Sequence, residues 1–295
     1  MTQCLDRQKL RRLWEDALAE DGVDRDVTSL VAVDETATGV ARITVRQVGV
    51  FAGSAVFDLL REAYTPRLTI DLAPNDGDAL QAGTTIATLT GPLRLLLGIE
   101  RTLLNFLHRL CGVATLTRRY VDAVAGTGAR IYDTRKTIPA WRQLDKYSVR
   151  CGCGHNHRMG LHDAILVKDN HLAAVERDQL AATASEMLSE AASLSPPPDF
   201  VEFEVDTLDQ LEELLKVVGI DVILLDNFAP DQIRQAVKRR DALGLAGKVE
   251  LEASGRVDLA SVRRIAETGV DRISVGALTH SAPGLDIAME IESTT

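Results

Sequence analysis

Hydrophobic spacing along the chain changes character near residue 129. From Ala129 onward, six short apolar runs appear: "ARIYD", "AILVKD", "FVEFEVD", "DVILLDN", "VELEAS" and "RISVG". Each is rich in Ile, Val or Leu and short enough for a buried strand. Helical patterns separate most of them, in "AAVERDQLAATASEMLSEAA", "LDQLEELLKVV", "PDQIRQAVKRRDALG" and "LASVRRIAETG". Strand alternating with helix predicts parallel strands joined by crossover helices. No glycine-rich dinucleotide fingerprint follows any strand, so the pattern favours an open α/β barrel over a doubly wound sheet.

Before residue 129 the patterns are mixed. A charged amphipathic helix is predicted from about Asp6 to Glu20. "GVARITVRQVGVFAG" alternates as a strand, and "SAVFDLLREAY" reads as a helix. "LTIDLAPNDGDALQAGTTIATLTGP" reads as short strands around a turn at Asn75–Gly77. Pro92 is expected to open a long helical stretch, since proline fits a first helical turn, and Gly112 to break it in two. "SPPPD" at 195–199 reads as a stiff loop before a strand. The expected fold class is α/β, with a small N-terminal α/β-sandwich domain (1–112, joined by 281–295) and a barrel domain (113–280).

Bulk properties narrow the chemistry. The 295 residues carry a net charge of −10, with 45% hydrophobic content. An acidic chain is poorly suited to nucleic acid or an anionic membrane surface. The N-terminal segment lacks an apolar signal core, and no run approaches a membrane span. Four cysteines, Cys4, Cys111, Cys151 and Cys153, form no disulfide framework. These features together lead to an expected cytoplasmic location.

Against the acidic background, residues 130–168 hold eight Lys or Arg and only three Asp. That local excess predicts a cationic pocket for a small polyanion. In a parallel barrel the reactive groups come from the C-terminal ends of the strands. Those ends offer Asp133, Thr134, Arg135, Lys136 and Thr137, then Lys168 to His171. Glu204 and Asp206 follow, then Asp226 and Asn227, then Glu252, Ser254 and Gly255, and last Gly276 and Ala277. Glu204 and Asp226 offer oxygen ligands suited to Mg²⁺. The small residues ending the last two strands suit a phosphate cup. Asp206 and Asn227 are equally suited to capping the next helix. The combination asks for a phosphorylated sugar with a pyrophosphate leaving group, beside a carboxylated acceptor.

"YDTRKTIPAWRQLDKYSVRCGCGHNHRMGLHDAILVKDNHL" resembles the core of the quinolinate phosphoribosyltransferases. So do "ERTLLNFLHRLCGVATLTRRYVDAV", "EVDTLDQLEELL", "ILLDNF", "LEASG" and "ISVGALTHSAPGLDIAM", over about residues 95–290. The resemblance implies a type II phosphoribosyltransferase-like fold. It also implies transfer of phosphoribose from phosphoribosyl pyrophosphate to quinolinate with loss of CO₂, giving nicotinate mononucleotide for NAD synthesis. It implies Mg²⁺ as cofactor, and a homodimer or trimer of dimers in which Arg101 is lent across the interface. Thr134, Arg135, Lys136, His157 and Arg158 would bind the acceptor, with Lys168 between acceptor and sugar phosphate. Glu204 and Asp226 would hold ribose hydroxyls and metal. Ser254, Gly255 and Gly276 would take the 5-phosphate with His280 nearby. Lys136, Lys168, Glu204 and Asp226 are the expected catalytic set.

Three departures from the family pattern are visible: Cys153 and His155 in a glycine-rich loop, Ile138 for a second Thr, and Arg256 for a second Gly. "RCGCGHNHRMG" places Cys151, Cys153, His155 and His157 at alternate positions, which raises a zinc- or copper-binding alternative. Its Cys-x-Cys spacing, with no second pair, does not match a structural zinc site. A paralogue of the kind associated with molybdenum transport would share the barrel but take another acceptor. The pairing of Arg135-Lys136 with His157-Arg158 favours quinolinate.

Overall fold

A computed structural model describes residues 5–172 and 174–294, so Cys4 and Ala173 lie outside the described residues. The chain divides into two compact units. The first runs to Arg118 and adds Pro139–Cys153 and the C-terminal segment from Ser281. The second comprises Arg119–Ile138 and Gly154–His280.

The first unit begins with α1 (Arg7–Asp21), where the Asp6 carboxylate accepts from the Gln8 and Lys9 amides and Gly22 closes the end at φ 68. Asp26 caps α2 (Val27–Ala32) in the same way. β1 (Thr38–Val45) buries alternate residues, and β2 (Gly49–Val50) precedes α3 (Ser54–Tyr64). β3 (Thr69–Leu72), β4 (Ala79–Leu80) and β5 (Thr85–Pro92) follow. Pro92 therefore ends a strand, and α4 starts at Leu93 and runs unbroken to Ala123. Gly112 does not interrupt it. A Cβ at that position would collide with the Pro283 carbonyl, so the glycine serves close packing instead.

α5 (Arg142–Cys151) was not foreseen as a helix. It packs with the first unit rather than the barrel. Trp141 stacks against Phe106 at 4.8 Å, Arg109 bridges to buried Asp145 at 2.8 Å, and the Tyr147 hydroxyl donates to Asp76 at 2.5 Å. The anticipated domain limits assign this segment to the barrel, whereas its contacts attach it to the sandwich.

The second unit contains the six anticipated strands: β6 (Arg130–Tyr132), β7 (Ile165–Val167), β8 (Val201–Val205), β9 (Val222–Asp226), β10 (Glu250–Ser254) and β11 (Arg272–Ser274). All pair in parallel, in the order β6-β11-β10-β9-β8-β7. Consecutive strands are neighbours except β6 and β7, so the ring has one break, as an open barrel requires. At that break Tyr132 forms a lone parallel bridge to His155.

The crossover helices are α6 (Leu180–Ala191), α7 (Leu208–Leu214), α8 (Pro230–Ala242) and α9 (Val262–Ala266), with α10 (Ala277–His280) after the last strand. α6 is shorter than its pattern suggested, because the residues before Leu180 form a 3-10 turn (Arg177–Gln179). β12 (Ile287–Ser293) returns to the first unit and pairs antiparallel with β1, giving the sheet order β12-β1-β5-β3. Among the described residues no helix is long and apolar enough to cross a membrane.

Candidate active site

The strand ends of the second unit surround a cavity of about 490 Å³. Every lining residue lies in that unit. Thr134, Arg135 and Lys136 come from the β6 end, His157 and Arg158 from the segment at the break, and Lys168 from the β7 end. Glu204, Asp226 and Ser254 end β8, β9 and β10, with Gly255 beside them. Ten of the thirteen expected site residues thus line the cavity, and eight of them follow from one rule, the C-terminal ends of parallel strands.

Local structure fixes the two cationic segments to each other. Asp133, fully buried, accepts from the His157 amide at 2.8 Å and from Asn156 Nδ2 at 2.7 Å. The β6 end and the 156–158 segment are therefore one assembly. The Lys136 amide donates to Thr134 Oγ1 at 3.1 Å, and Thr279 Oγ1 donates to the Lys136 carbonyl at 2.8 Å. Gly276 lies behind Lys136: a Cβ there would sit 3.1 Å from Lys136 Cδ and from His280 Nε2. Gly276 and His280 thus support the cavity wall at Lys136 and are not among its lining residues. Arg101 is an exposed residue of α4 in the first unit and lines no part of this cavity.

Charge in the cavity is uneven. Lys168 pairs with Glu204. Arg158 is buried, its Nη1 donates to the Ala164 carbonyl at 3.2 Å, and burial followed by the charge of Arg135 holds it below the ordinary arginine value. Arg135 Nε is buried with no hydrogen-bond partner. On the opposite wall Asn227 Nδ2 donates to Asp226 Oδ2 at 2.7 Å, so Asn227 orients this carboxylate rather than capping a helix. Asn227 has φ 55. Gly255 has φ 129, and a Cβ on it would come 2.6 Å from Asn227 Oδ1. Only glycine meets both conditions. Asp206 stays outside the cavity, and its amide donates to Gln210 Oε1 at the start of α7.

Arg142, Lys146 and Arg150, part of the predicted basic excess, lie on α5 in the first unit. Arg130 is engaged by Glu250. The cavity's own cations are Arg135, Lys136, Arg158, Lys168 and Arg256, the last of which departs from the family pattern.

Among the described residues Cys151, Cys153, His155 and His157 are not brought together as one ligand set. Cys151 is the last residue of α5, and Cys153 has φ 65, so the alternation of an extended chain does not apply. Cys153 is exposed and accepts from Arg118 Nη2 at 3.0 Å. His155 stacks on Tyr132 at 5.2 Å. Among the described residues one trio comes within ligating reach of a common point: His157, Glu202 and Glu252. His157 Nε2 lies 2.9 Å from Glu202 Oε2 and 3.6 Å from Glu252 Oε1. Burial pushes both carboxyls up to about 7. Glu202 was absent from the predicted site and Glu252 had no assigned role. Their signal was present in the sequence: Glu202 and Glu204 alternate in β8, and Glu250 and Glu252 in β10, acids at the inward period of apolar strands.

Comparison with known proteins gives this geometry a lineage. The family model for the quinolinate phosphoribosyl transferase C-terminal domain matches residues 113–290, and that for the N-terminal domain matches residues 26–111. The chain belongs to the quinolinate phosphoribosyltransferase family. A nicotinate-nucleotide pyrophosphorylase (carboxylating) of Mycobacterium leprae is 42% identical over 292 residues, covering 97% of this chain and 96% of that one. A Bacillus subtilis protein described as a probable enzyme of the same name is 39% identical over 287 residues, covering 96% and 93%. The solved structure of the nicotinate-nucleotide pyrophosphorylase from Francisella tularensis superposes with a TM-score of 0.87 at 33% identity, covering 98% of both chains. The α/β-barrel fold expected of this family is the one observed.

Proposed function

We propose that the chain transfers phosphoribose from phosphoribosyl pyrophosphate to the ring nitrogen of quinolinate, with decarboxylation to nicotinate mononucleotide, in NAD synthesis. One observation carries the assignment of the acceptor. Two guanidinium groups, the half-buried Arg135 and the buried Arg158, face the cavity close enough for one to depress the other, and the buried Arg135 Nε has no partner. Like charges held together in a dry pocket call for an anion between them. An acceptor with adjacent carboxylates fits that demand, with Thr134 and Lys136 beside it.

The remaining groups divide along the cavity. Lys168, already paired with Glu204, lies between acceptor and sugar. Ser254 and Gly255 receive the 5-phosphate, with Gly276 and His280 behind the wall at Lys136, and Arg256 adds a cation to this end. Glu204 and Asp226 face the ribose hydroxyls. They are oxygen donors on adjacent strands, the ligand chemistry that Mg²⁺ favours. Mg²⁺, when bound, neutralises charge on the departing pyrophosphate. As pyrophosphate leaves, the sugar carbon gains oxocarbenium character, which the two carboxylates stabilise. The acceptor nitrogen closes the new bond, its positive charge then stabilises the carbanion left when the adjacent carboxylate departs as CO₂, and that carbon takes up a proton from water to give nicotinate mononucleotide. No covalent enzyme nucleophile is needed.

The reading includes a cytoplasmic homodimer, or a trimer of dimers, with Arg101 of a second copy completing each acceptor site. The test is incubation with quinolinate, phosphoribosyl pyrophosphate and Mg²⁺, with CO₂ and nucleotide measured together. Equimolar release of CO₂ and nicotinate mononucleotide is expected. Absence of both from folded protein overturns the assignment.

A further inference from the structure

We propose that Glu202 is a positioning residue for the acceptor site, which holds the His157 imidazole in the Nε2–H tautomer and, through that ring, the main chain carrying Arg158. The inference rests on the reading that Arg158 grips the acceptor.

The ring nitrogens determine the tautomer. The Arg158 amide donates to His157 Nδ1 at 2.8 Å. A ring nitrogen that accepts carries no proton, so the proton of the neutral imidazole sits on Nε2. Nε2 faces inward, 2.9 Å from Glu202 Oε2 and 3.6 Å from Glu252 Oε1; the Glu202 contact is a close charge contact rather than an aligned hydrogen bond, since both buried Glu202 oxygens lack a hydrogen-bond partner. The Phe200 ring meets the imidazole edge-on at 5.4 Å, and the His157 amide is tied to Asp133. The ring is thus tied at its backbone and packed on its face, with the unpartnered Glu202 carboxylate set against its far nitrogen, while its near nitrogen fixes the next residue's amide. Glu202 does not line the cavity.

The same geometry rules on a tempting alternative. His157, Glu202 and Glu252 have the composition of a metal site. A metal at Nε2 would require the proton to move to Nδ1, where it would point at the Arg158 N–H. The trio therefore acts as a histidine support. His157 acts on the acceptor through the placement of Arg158 rather than by bringing a charge of its own.

The test joins nitrogen NMR with kinetics. In ¹⁵N-labelled wild-type protein, His157 should show a protonated Nε2 and an unprotonated Nδ1. Glu202→Ala should lose this pattern and raise the KM for quinolinate by roughly ten- to hundredfold, as loss of a group that orients a histidine does elsewhere, with the KM for phosphoribosyl pyrophosphate within about threefold. Glu202→Gln keeps an accepting oxygen and should restore both the tautomer and the quinolinate KM. Unchanged tautomer and KM in folded Glu202→Ala overturn the proposal. If that variant does not fold, the wild-type spectrum decides: a protonated Nδ1 overturns the proposal, and its absence together with a native-like Glu202→Gln supports it. Should wild-type protein not use quinolinate at all, the functional reading fails, while the tautomer result still stands or falls independently.

Discussion

Arg135→Ala separates binding from folding in a way few substitutions at this site can. The side chain is half-buried, its buried Nε has no hydrogen-bond partner, and its charge acts against Arg158. Truncating one member of a desolvated charge contact costs about 2–5 kcal/mol of binding or transition-state energy. At about 1.4 kcal/mol per decade, kcat/KM for quinolinate should fall roughly 30- to 4,000-fold. The unliganded fold loses no Nε partner and is relieved of one repulsion. Its Tm should stay within about 3 °C of wild type, the shift expected for less than about 1 kcal/mol at this size. Turnover by CO₂ release, binding of benzene-1,2-dicarboxylate by calorimetry and thermal unfolding give the three readouts. Wild-type turnover would show that the acceptor sits elsewhere, and a large fall in Tm would show that Arg135 is structural.

Arg256→Gly should raise the KM for phosphoribosyl pyrophosphate about two- to fivefold, the worth of one exposed ionic contact, and weaken its salt dependence. An unchanged KM and salt response would place Arg256 outside the phosphate contacts. Glu252→Gln tests the buried carboxyls. Burial, and then the charge of Glu202, raise the Glu252 carboxyl from 4.5 to about 7. The folded state therefore holds this proton more tightly than the unfolded chain. Its contribution to stability is complete below pH 4.5, declines as pH rises to about 7, and stays at its lower value above that. The variant cannot ionise at this position, so its Tm relative to wild type should rise between pH 5 and 8. A pH-independent difference would show that Glu252 does not titrate in this window.

Much of the fold was written in the hydrophobic pattern. All six barrel strands were legible because a parallel barrel buries both strand faces and leaves short Ile/Val/Leu runs. The site followed from the strand ends, since one geometric rule collects Arg135, Lys168, Glu204, Asp226 and Ser254. What escaped depended on distant contacts. Gly112 looks like a helix breaker until Pro283, 171 positions away in sequence, is packed against it. α5 has a charged, weakly apolar sequence, and its location is set by Arg109, Phe106 and Asp76. Placing three of its cations in the pocket was an error of the same origin: adjacency in sequence was taken for adjacency in space. The alternating cysteines and histidines carry no shared geometry, because alternation has meaning only in an extended strand, and Cys153 at φ 65 ends any such run.

The acids inside the barrel show how the site is supported from below. Toward the N-terminal ends of the strands, Arg130 and Arg272 both engage Glu250, and these cations keep its carboxyl below the ordinary range despite burial. Arg272 also lies over the Tyr132 ring, 4.9 Å from its centre. One step closer to the cavity, Glu202 and Glu252 flank the histidine, and burial raises both carboxyls. At the mouth, the cations outnumber their partners. The interior thus grades from neutralised pairs, through carboxyls that resist ionising, to guanidiniums awaiting an anion. An apolar filling of the same volume would often be as stable or more so, so stability alone does not account for this gradient. It is accounted for if each layer orients the next, with the last layer completed by the dianion that the enzyme consumes.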